Sequence, residues 1–171
     1  MSKFNFFLYL SGYQLTWLMC IFGEIKFSSY LPGLISGLFF LFLCFVFSNN
    51  KKKFISILLY ISIPGYLFDS ILVYLNIYNF ETSFHVGLLP IWMLILWPSF
   101  AVLFNEVFKF LEKYKLIAIT LSGILGPLTY YSGSPLGLLV INNSLFFIIS
   151  MVSFWIMLMA YYLYYLLKFK D

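Results

Sequence analysis

One carboxylate, Asp69, interrupts the apolar run 54–77, which is long enough to cross a bilayer. Ionisable side chains at membrane depth are costly, and they usually mark a proton or ligand site or a buried structural bond. Helical spacing places Ser62, Gly65 and Asp69 on one polar or small stripe, opposite bulky apolar side chains. We therefore expect the stripe to face the protein interior, where Asp69 either forms a functional site or joins neighbouring helices by hydrogen bonds.

Polar and aromatic side chains in other apolar runs extend this candidate site. Gln14 lies near the middle of the first run, where it either bonds to a neighbouring helix or contacts a substrate. Glu106 lies near the end of the fourth run, three residues before Lys109, which predicts either a solvated ion pair or a second polar site. No residue is assigned a catalytic role. The candidates for substrate or proton contact are Asp69, Gln14, Trp17, Trp92, Glu106, Asn105 and Tyr130.

Several kinds of chemistry lack the residues that they need. The chain has one histidine, His85, whereas even a zinc site needs three or four converging ligands. It contains neither a phosphate-binding glycine-rich motif nor a nucleophile elbow. The sequence therefore predicts no metal and no cofactor, and it disfavours an enzyme that acts alone without excluding an enzymatic role.

The composition is that of a membrane protein. Hydrophobic residues make up 63% of the chain and charged residues 9%, against about half and about a quarter in soluble domains. The lysines lie in short tethers between apolar runs, a pattern that membrane topology explains and that nucleic-acid binding does not. The expected partners are membrane lipids, and further copies of the chain or another membrane protein remain open.

Six apolar runs predict an all-α fold, a polytopic bundle of about six transmembrane helices forming one domain over residues 1–171. The connections between them are too short to form a domain outside the membrane. The predicted helices are approximately 4–23, 30–48, 54–77, 88–108, 116–131 and 144–167.

The lysines predict the orientation of this bundle. With both termini in the cytoplasm, nine of the ten lysines lie on the cytoplasmic side, and only Lys26 lies outside. Positive residues collect on the cytoplasmic side of membrane proteins, so this arrangement predicts a multi-pass protein of the inner membrane. The nine are Lys3, Lys51, Lys52, Lys53, Lys109, Lys113, Lys115, Lys168 and Lys170.

Small residues predict where helices approach closely. Gly33 and Gly37 form a G-x-x-x-G pattern in the second helix, and Gly126 with Pro127 marks a short, closely packed fifth helix. The segment 132–143 has no clear periodicity. We expect its central part, 135–141, to lie along the outer surface or to enter the membrane as a short re-entrant segment.

A set of spaced residues runs along the chain: Asn5, Gln14, Trp17, Cys20, Gly23, Asp69, Pro90, Ile91, Trp92, Leu96, Trp97, Phe100, Ala101, Asn105, Gly126, Pro127, Leu128, Tyr130, Gly133, Leu136 and Gly137. Taken together, they resemble a small bacterial membrane family catalogued as domain of unknown function 2878. The resemblance covers nearly the whole chain, and its most specific parts are the Pro-x-Trp…Trp and Gly-Pro-Leu-x-Tyr blocks. One departure is Glu106-Val107, where the family pattern has a His-Ser pair.

This resemblance implies no established activity, but it does imply a context. Members of the family occur beside enzymes that modify unsaturated or cyclopropane-type fatty acids, which suggests an accessory role in lipid or fatty-acid modification or handling. Two other functions remain open: a small proton- or cation-coupled transporter or channel, and a structural subunit of a membrane complex.

Overall fold

The described part of the chain forms a bundle of six α-helices, which confirms the predicted all-α membrane fold. The structure is a computed structural model that describes residues 3–82, 84–164 and 166, and within them all side chains except those of residues 3–5, 105 and 106. The helices are α1 Lys3–Phe27, α2 Leu31–Phe47, α3 Lys51–Tyr74, α4 Ile91–Glu106, α5 Lys115–Gly133 and α6 Ser144–Tyr164. A 3-10 helix over Phe108–Tyr114 precedes α5 and is called the 3-10 segment below.

Not all six helices are equally long. In the described part of the chain, four are long and apolar enough to cross a membrane: Phe6–Phe27, Lys51–Tyr74, Phe108–Gly133 and Ser144–Tyr164. The apolar helices α2 and α4 have 17 and 16 residues, which corresponds to roughly 25 Å along the axis. The four long apolar helices identify a membrane protein, in which α2 and α4 are shorter elements of the same bundle.

Four short strands lie together at one end of the bundle, here called the strand end. They are β1 Tyr78–Phe80, β2 His85–Val86, β3 Leu89–Pro90 and β4 Leu139–Ile141. Strand β1 pairs antiparallel with β4, and β2 pairs with β3. The segment 135–141 therefore ends in a paired strand. Pairing satisfies backbone groups that would otherwise be costly near hydrocarbon, but three residues are too few to show a strand period in sequence.

The end of α3 is tied to the start of α6. Asn76 follows α3 with a positive φ of 54°, a conformation that asparagine tolerates better than most residues. The side-chain amide of Asn142 donates to Oδ1 of Asn76 at 2.8 Å, and the Asn142 backbone N–H donates to the Ile77 carbonyl at 2.9 Å. These bonds extend the β1–β4 pairing into the two adjoining helices.

The helices form two groups. The first is α1–α4, in which α4 packs against the other three helices, and the second is the antiparallel pair α5 and α6. Between α4 and α6 lies a layer of aromatic rings: Trp97 stacks on Trp155 with ring centroids 5.8 Å apart, and Phe104 meets Tyr162 edge-on at 4.8 Å. These large side chains hold the two groups together while they keep the backbones of α4 and α6 apart.

The glycines singled out from the sequence lie where backbones or rings approach closely. A Cβ at Gly33 would lie 2.8 Å from Cα of Cys20 on α1, and one at Gly37 would lie 2.4 Å from the Ile95 side chain. A Cβ at Gly126 would overlap the ring of Trp155, 2.2 Å from its nearest atom. Pro127 lies inside α5.

Candidate functional site

Asp69 is completely buried, and three side chains donate hydrogen bonds to its two carboxylate oxygens. The Tyr78 hydroxyl donates to Oδ1 and the Trp97 indole Nε1 donates to Oδ2, both at 2.7 Å. The Tyr130 hydroxyl lies 2.9 Å from Oδ1 and 3.0 Å from Oδ2. These four residues, here called the Asp69 cluster, join α3, β1, α4 and α5.

The three donors in this cluster are neutral groups. Burial, and then the nearby carboxylate, hold the pKa of the Tyr78 phenol well above its usual range, so the hydroxyl keeps its proton and remains a donor. Both oxygens of Asp69 are occupied and screened from solvent. The geometry suits a set of hydrogen bonds that fixes the positions of the helices.

A cavity of about 380 Å³ lies beside the cluster, between α1 and α4 on one side and α5 and α6 on the other. It is called the groove below. Its walls are mainly apolar and aromatic, and all four tryptophans of the chain contribute: Trp17, Trp92, Trp97 and Trp155. The groove extends from Leu138 and Leu139 at the strand end to Phe108 and Leu111 in the 3-10 segment.

Two residues belong to both the groove and the Asp69 cluster. Trp97 and Tyr130 line the groove, while their polar atoms bond to the carboxylate behind it. Asp69 itself is not among the residues that line the groove. The carboxylate therefore affects the shape of the groove indirectly, because it fixes the positions of the Trp97 and Tyr130 rings.

The other two buried tryptophans of the groove differ from Trp97 in one respect. The indole N–H groups of Trp92 and Trp155 are buried and have no hydrogen-bond partner among the described residues. Trp92 meets the ring of Phe80 edge-on at 5.7 Å, and Trp155 stacks on Trp97. Buried donors normally have a partner, so each exception requires an explanation.

The structure brings some of the sequence candidates together and separates others. Trp17, Trp92 and Tyr130 line the groove, and Asp69 lies directly behind it. Gln14 is exposed on the surface of α1. The side chains of the remaining candidates, Asn105 and Glu106, lie outside the described residues.

Three important residues were not among the candidates: Tyr78, Trp97 and Trp155. Trp97 had a visible signal, because it lies five residues after Trp92 in the same apolar run and an indole within a membrane helix needs an acceptor. Tyr78 looks like an interfacial aromatic residue, and Trp155 looks like an ordinary apolar helix residue. Tyr78 lies in β1, outside the helix that carries Asp69, and Trp155 contacts Trp97 from another helix, so the periodicity of a single apolar run reveals neither contact.

A metal site needs several ligands close together. Within residues 3–82, 84–164 and 166, no group of three His, Cys, Asp or Glu side chains lies close enough to hold a metal ion.

The profile of a family described as "Protein of unknown function (DUF2878)" matches residues 7–161. No curated protein and no solved structure matches the chain.

Proposed function

The chain belongs to the DUF2878 family of unknown function. We propose that it holds the hydrocarbon chain of a membrane lipid in the groove, as an accessory to lipid or fatty-acid modification or handling. The observation that carries this proposal is the apolar, aromatic-lined groove of about 380 Å³. This volume falls within the range of about 300–1,000 Å³ that is usual for small-molecule sites.

The groove is accessible from the side, where a bilayer would supply chains. Leu121 and Leu125 on α5 line the groove, yet 47% and 57% of their surfaces are exposed. A concave apolar wall without an occupant forfeits dispersion contacts with neighbouring atoms. In a bilayer the adjacent apolar molecules are lipid chains, so these chains are the natural occupants.

Selection between chains must come from shape, because the hydrophobic effect does not distinguish a groove from surrounding lipid. The rigid rings of Trp17, Trp97 and Trp155 give the wall a fixed contour. The Asp69 cluster fixes the positions of Trp97 and Tyr130 within that wall. Such a contour favours lipid chains whose bends match it. A double bond or a ring in the chain changes where and how strongly the chain bends.

A pair of neighbouring substitutions on α5 tests this proposal. Leu125→Trp fills the groove, whereas Ile124→Trp adds the same ring at a position that is 52% exposed and does not line it. We expect Leu125→Trp to retain several-fold less lipid than wild type through a detergent wash, measured by mass spectrometry as lipid per protein. Ile124→Trp should retain as much as wild type. Equal retention by all three proteins would contradict binding in the groove.

The physiological part of the proposal needs the native host. A deletion strain should show an altered fatty-acid and lipid profile, which Ile124→Trp restores and Leu125→Trp does not. If deletion leaves the profile unchanged while vesicles show an Asp69-dependent ion flux, transport replaces lipid handling. If neither occurs and a membrane partner co-purifies, the structural-subunit function replaces both.

We also propose that the protein is a multi-pass protein of the inner membrane with both termini in the cytoplasm. The support is the distribution of lysines in the sequence. A reporter fused after Lys170 should be active on the cytoplasmic side, and one inserted beside Phe84 should be active on the outer side. The reverse pattern would contradict this orientation.

A further inference from the structure

We infer that the groove takes one chain of an anionic phospholipid, and that lysines at the 3-10 segment bind the phosphate of its head group. This inference rests on the proposed function and names the class of lipid and its direction in the groove. It depends on two observations: the uncharged wall of the groove, and the lysines on the elements that form one of its ends.

The two ends of the groove differ in charge, whereas its wall carries none. Among the described residues that line the groove there is no lysine, histidine, aspartate or glutamate, so a charged head group must lie at an end. Residues 108–115, at the 3-10 segment, contain three lysines and one glutamate. At the strand end, Glu24 and Glu81 outnumber the single lysine, Lys26. An anion is therefore attracted to the end at the 3-10 segment, called the basic end below.

Lys115 lies on the side of α5 that faces the groove. Ala118, Ser122 and Leu125 line the groove at intervals of three or four residues, which is the spacing of one helix face. Lys115 continues this series one turn earlier, and its Nζ lies 4.9 Å from the centroid of the Tyr164 ring on α6. The half-buried Lys115 side chain therefore reaches from α5 to α6, the two helices that form one side of the groove.

Lys113 extends the basic end into the 3-10 segment. A 3-10 helix has about three residues per turn, so Lys113 shares a row with Phe110, which lines the groove. Phe110 is 55% exposed, whereas Phe80 and Leu139 at the strand end are 7% and 4% exposed. The groove therefore reaches the protein surface at the basic end, where a head group stays hydrated while its chain lies in the groove.

The dimensions of the groove suit one chain of a two-chain lipid. The residues of α5 that line it run from Ala118 to Gly133, a rise of about 22 Å, which exceeds half of the roughly 30 Å hydrocarbon core of a bilayer. A chain from a single leaflet therefore fits along the groove. The side opening at Leu121 and Leu125 leaves the second chain in the surrounding bilayer, which favours a phospholipid over a free fatty acid.

Quenching of tryptophan fluorescence tests this inference on the intact protein, because all four tryptophans line the groove. Phosphatidylglycerol and phosphatidylcholine with the same brominated chains are titrated into the protein in nonionic dodecylmaltoside micelles, and the bromine atoms quench nearby indoles. The two lipids differ only in the head group, which is anionic in the first and has no net charge in the second. Dibromostearate and its methyl ester form a second pair, which tests a carboxylate in place of the phosphate.

We expect the wild type to bind phosphatidylglycerol about five- to twentyfold more tightly than phosphatidylcholine, and added salt to reduce this preference. Lys113→Gln/Lys115→Gln should bind both phospholipids with nearly equal affinity. The matched control, Lys51→Gln/Lys52→Gln, removes two charges from the start of α3, at the same end of the bundle, and α3 contributes no described residue to the groove. This control should keep the preference of the wild type.

Other outcomes separate this inference from the proposed function. If the wild type binds both phospholipids equally and saturably, the chain is held whatever its head group, so the inference fails and the proposed function stands. If both double variants lose the preference equally, the lysines beside the groove are not the binding site, and the inference fails. If only dibromostearate outbinds its neutral partner, the occupant is a fatty acid and the phospholipid is wrong. If no brominated probe quenches saturably, both the inference and the proposed function fail.

Discussion

Replacement of Asp69 by alanine is expected to lower the free energy of unfolding by about 3 kcal/mol or more, because two buried donors and one partly buried donor then lose their acceptor. Asp69→Asn should lower the free energy of unfolding by less than Asp69→Ala does. The amide keeps one oxygen as an acceptor, but its NH₂ group faces side chains that also donate. Tyr78→Phe, which removes one donor, should lower it by about 1 kcal/mol. Trp97→Phe should lower it further, because the smaller ring also loses contact with Trp155.

Unfolding in mixed micelles of increasing SDS content measures these differences. Glu112→Gln is a suitable control, because it also removes a carboxylate but at an exposed position in the 3-10 segment. We expect Glu112→Gln to unfold at the same SDS fraction as wild type. If Asp69→Ala did so too, the cluster would not hold the helices together, and Asp69 would have to be explained by function alone.

The second large effect is expected at Gly33, where α2 packs against the backbone of α1. In Gly33→Ala the new Cβ would lie 2.8 Å from Cα and 3.1 Å from the backbone nitrogen of Cys20. Backbone atoms cannot move aside without moving the helix, so α1 and α2 must separate, at a cost of about 2 kcal/mol. Thermal unfolding, followed by size-exclusion chromatography of heated samples, should show a clearly lower midpoint.

Gly123→Ala is the matched control for this substitution. Its Cβ would meet side-chain atoms and no backbone atom: Cγ1 and Cδ1 of Ile156 at 2.8 and 3.0 Å, and Cγ1 of Val152 at 3.6 Å. Alanine is also favoured over glycine in a helix by about 1 kcal/mol. We therefore expect Gly123→Ala to be close to neutral. A similar loss in both variants would show that backbone contact is not the cause.

The sequence was sufficient to predict the helices but not their arrangement. Apolar runs with lysines between them require membrane helices, because lipid cannot satisfy an open backbone. The long run that contains Asp69 forms α3, and the carboxylate faces inwards as the stripe predicted. Helix formation and the inward orientation of Asp69 depend on residues nearby in the sequence and on the lipid surroundings. Both of these can be inferred from a single sequence.

The groove and the full Asp69 cluster could not be predicted in this way. Trp97 and Tyr130 lie 28 and 61 residues from Asp69, and their contact depends on how each helix is rotated. The groove exists because the rings of Trp97 and Trp155 keep α4 and α6 apart. Sequence shows that these rings are present, but it does not show which of them face one another.

The composition of the Asp69 cluster also has a consequence for biosynthesis. Its donors follow the carboxylate by 9, 28 and 61 residues. At about 5–20 residues per second, Tyr130 is synthesised about 3 to 12 seconds after Asp69. During that interval Tyr78 and then Trp97 are the only members of the cluster that can shield the carboxylate. A ribosome that stalls before α5 therefore leaves a nascent chain whose buried acid lacks its final donor, and such a chain is a natural substrate for membrane quality control.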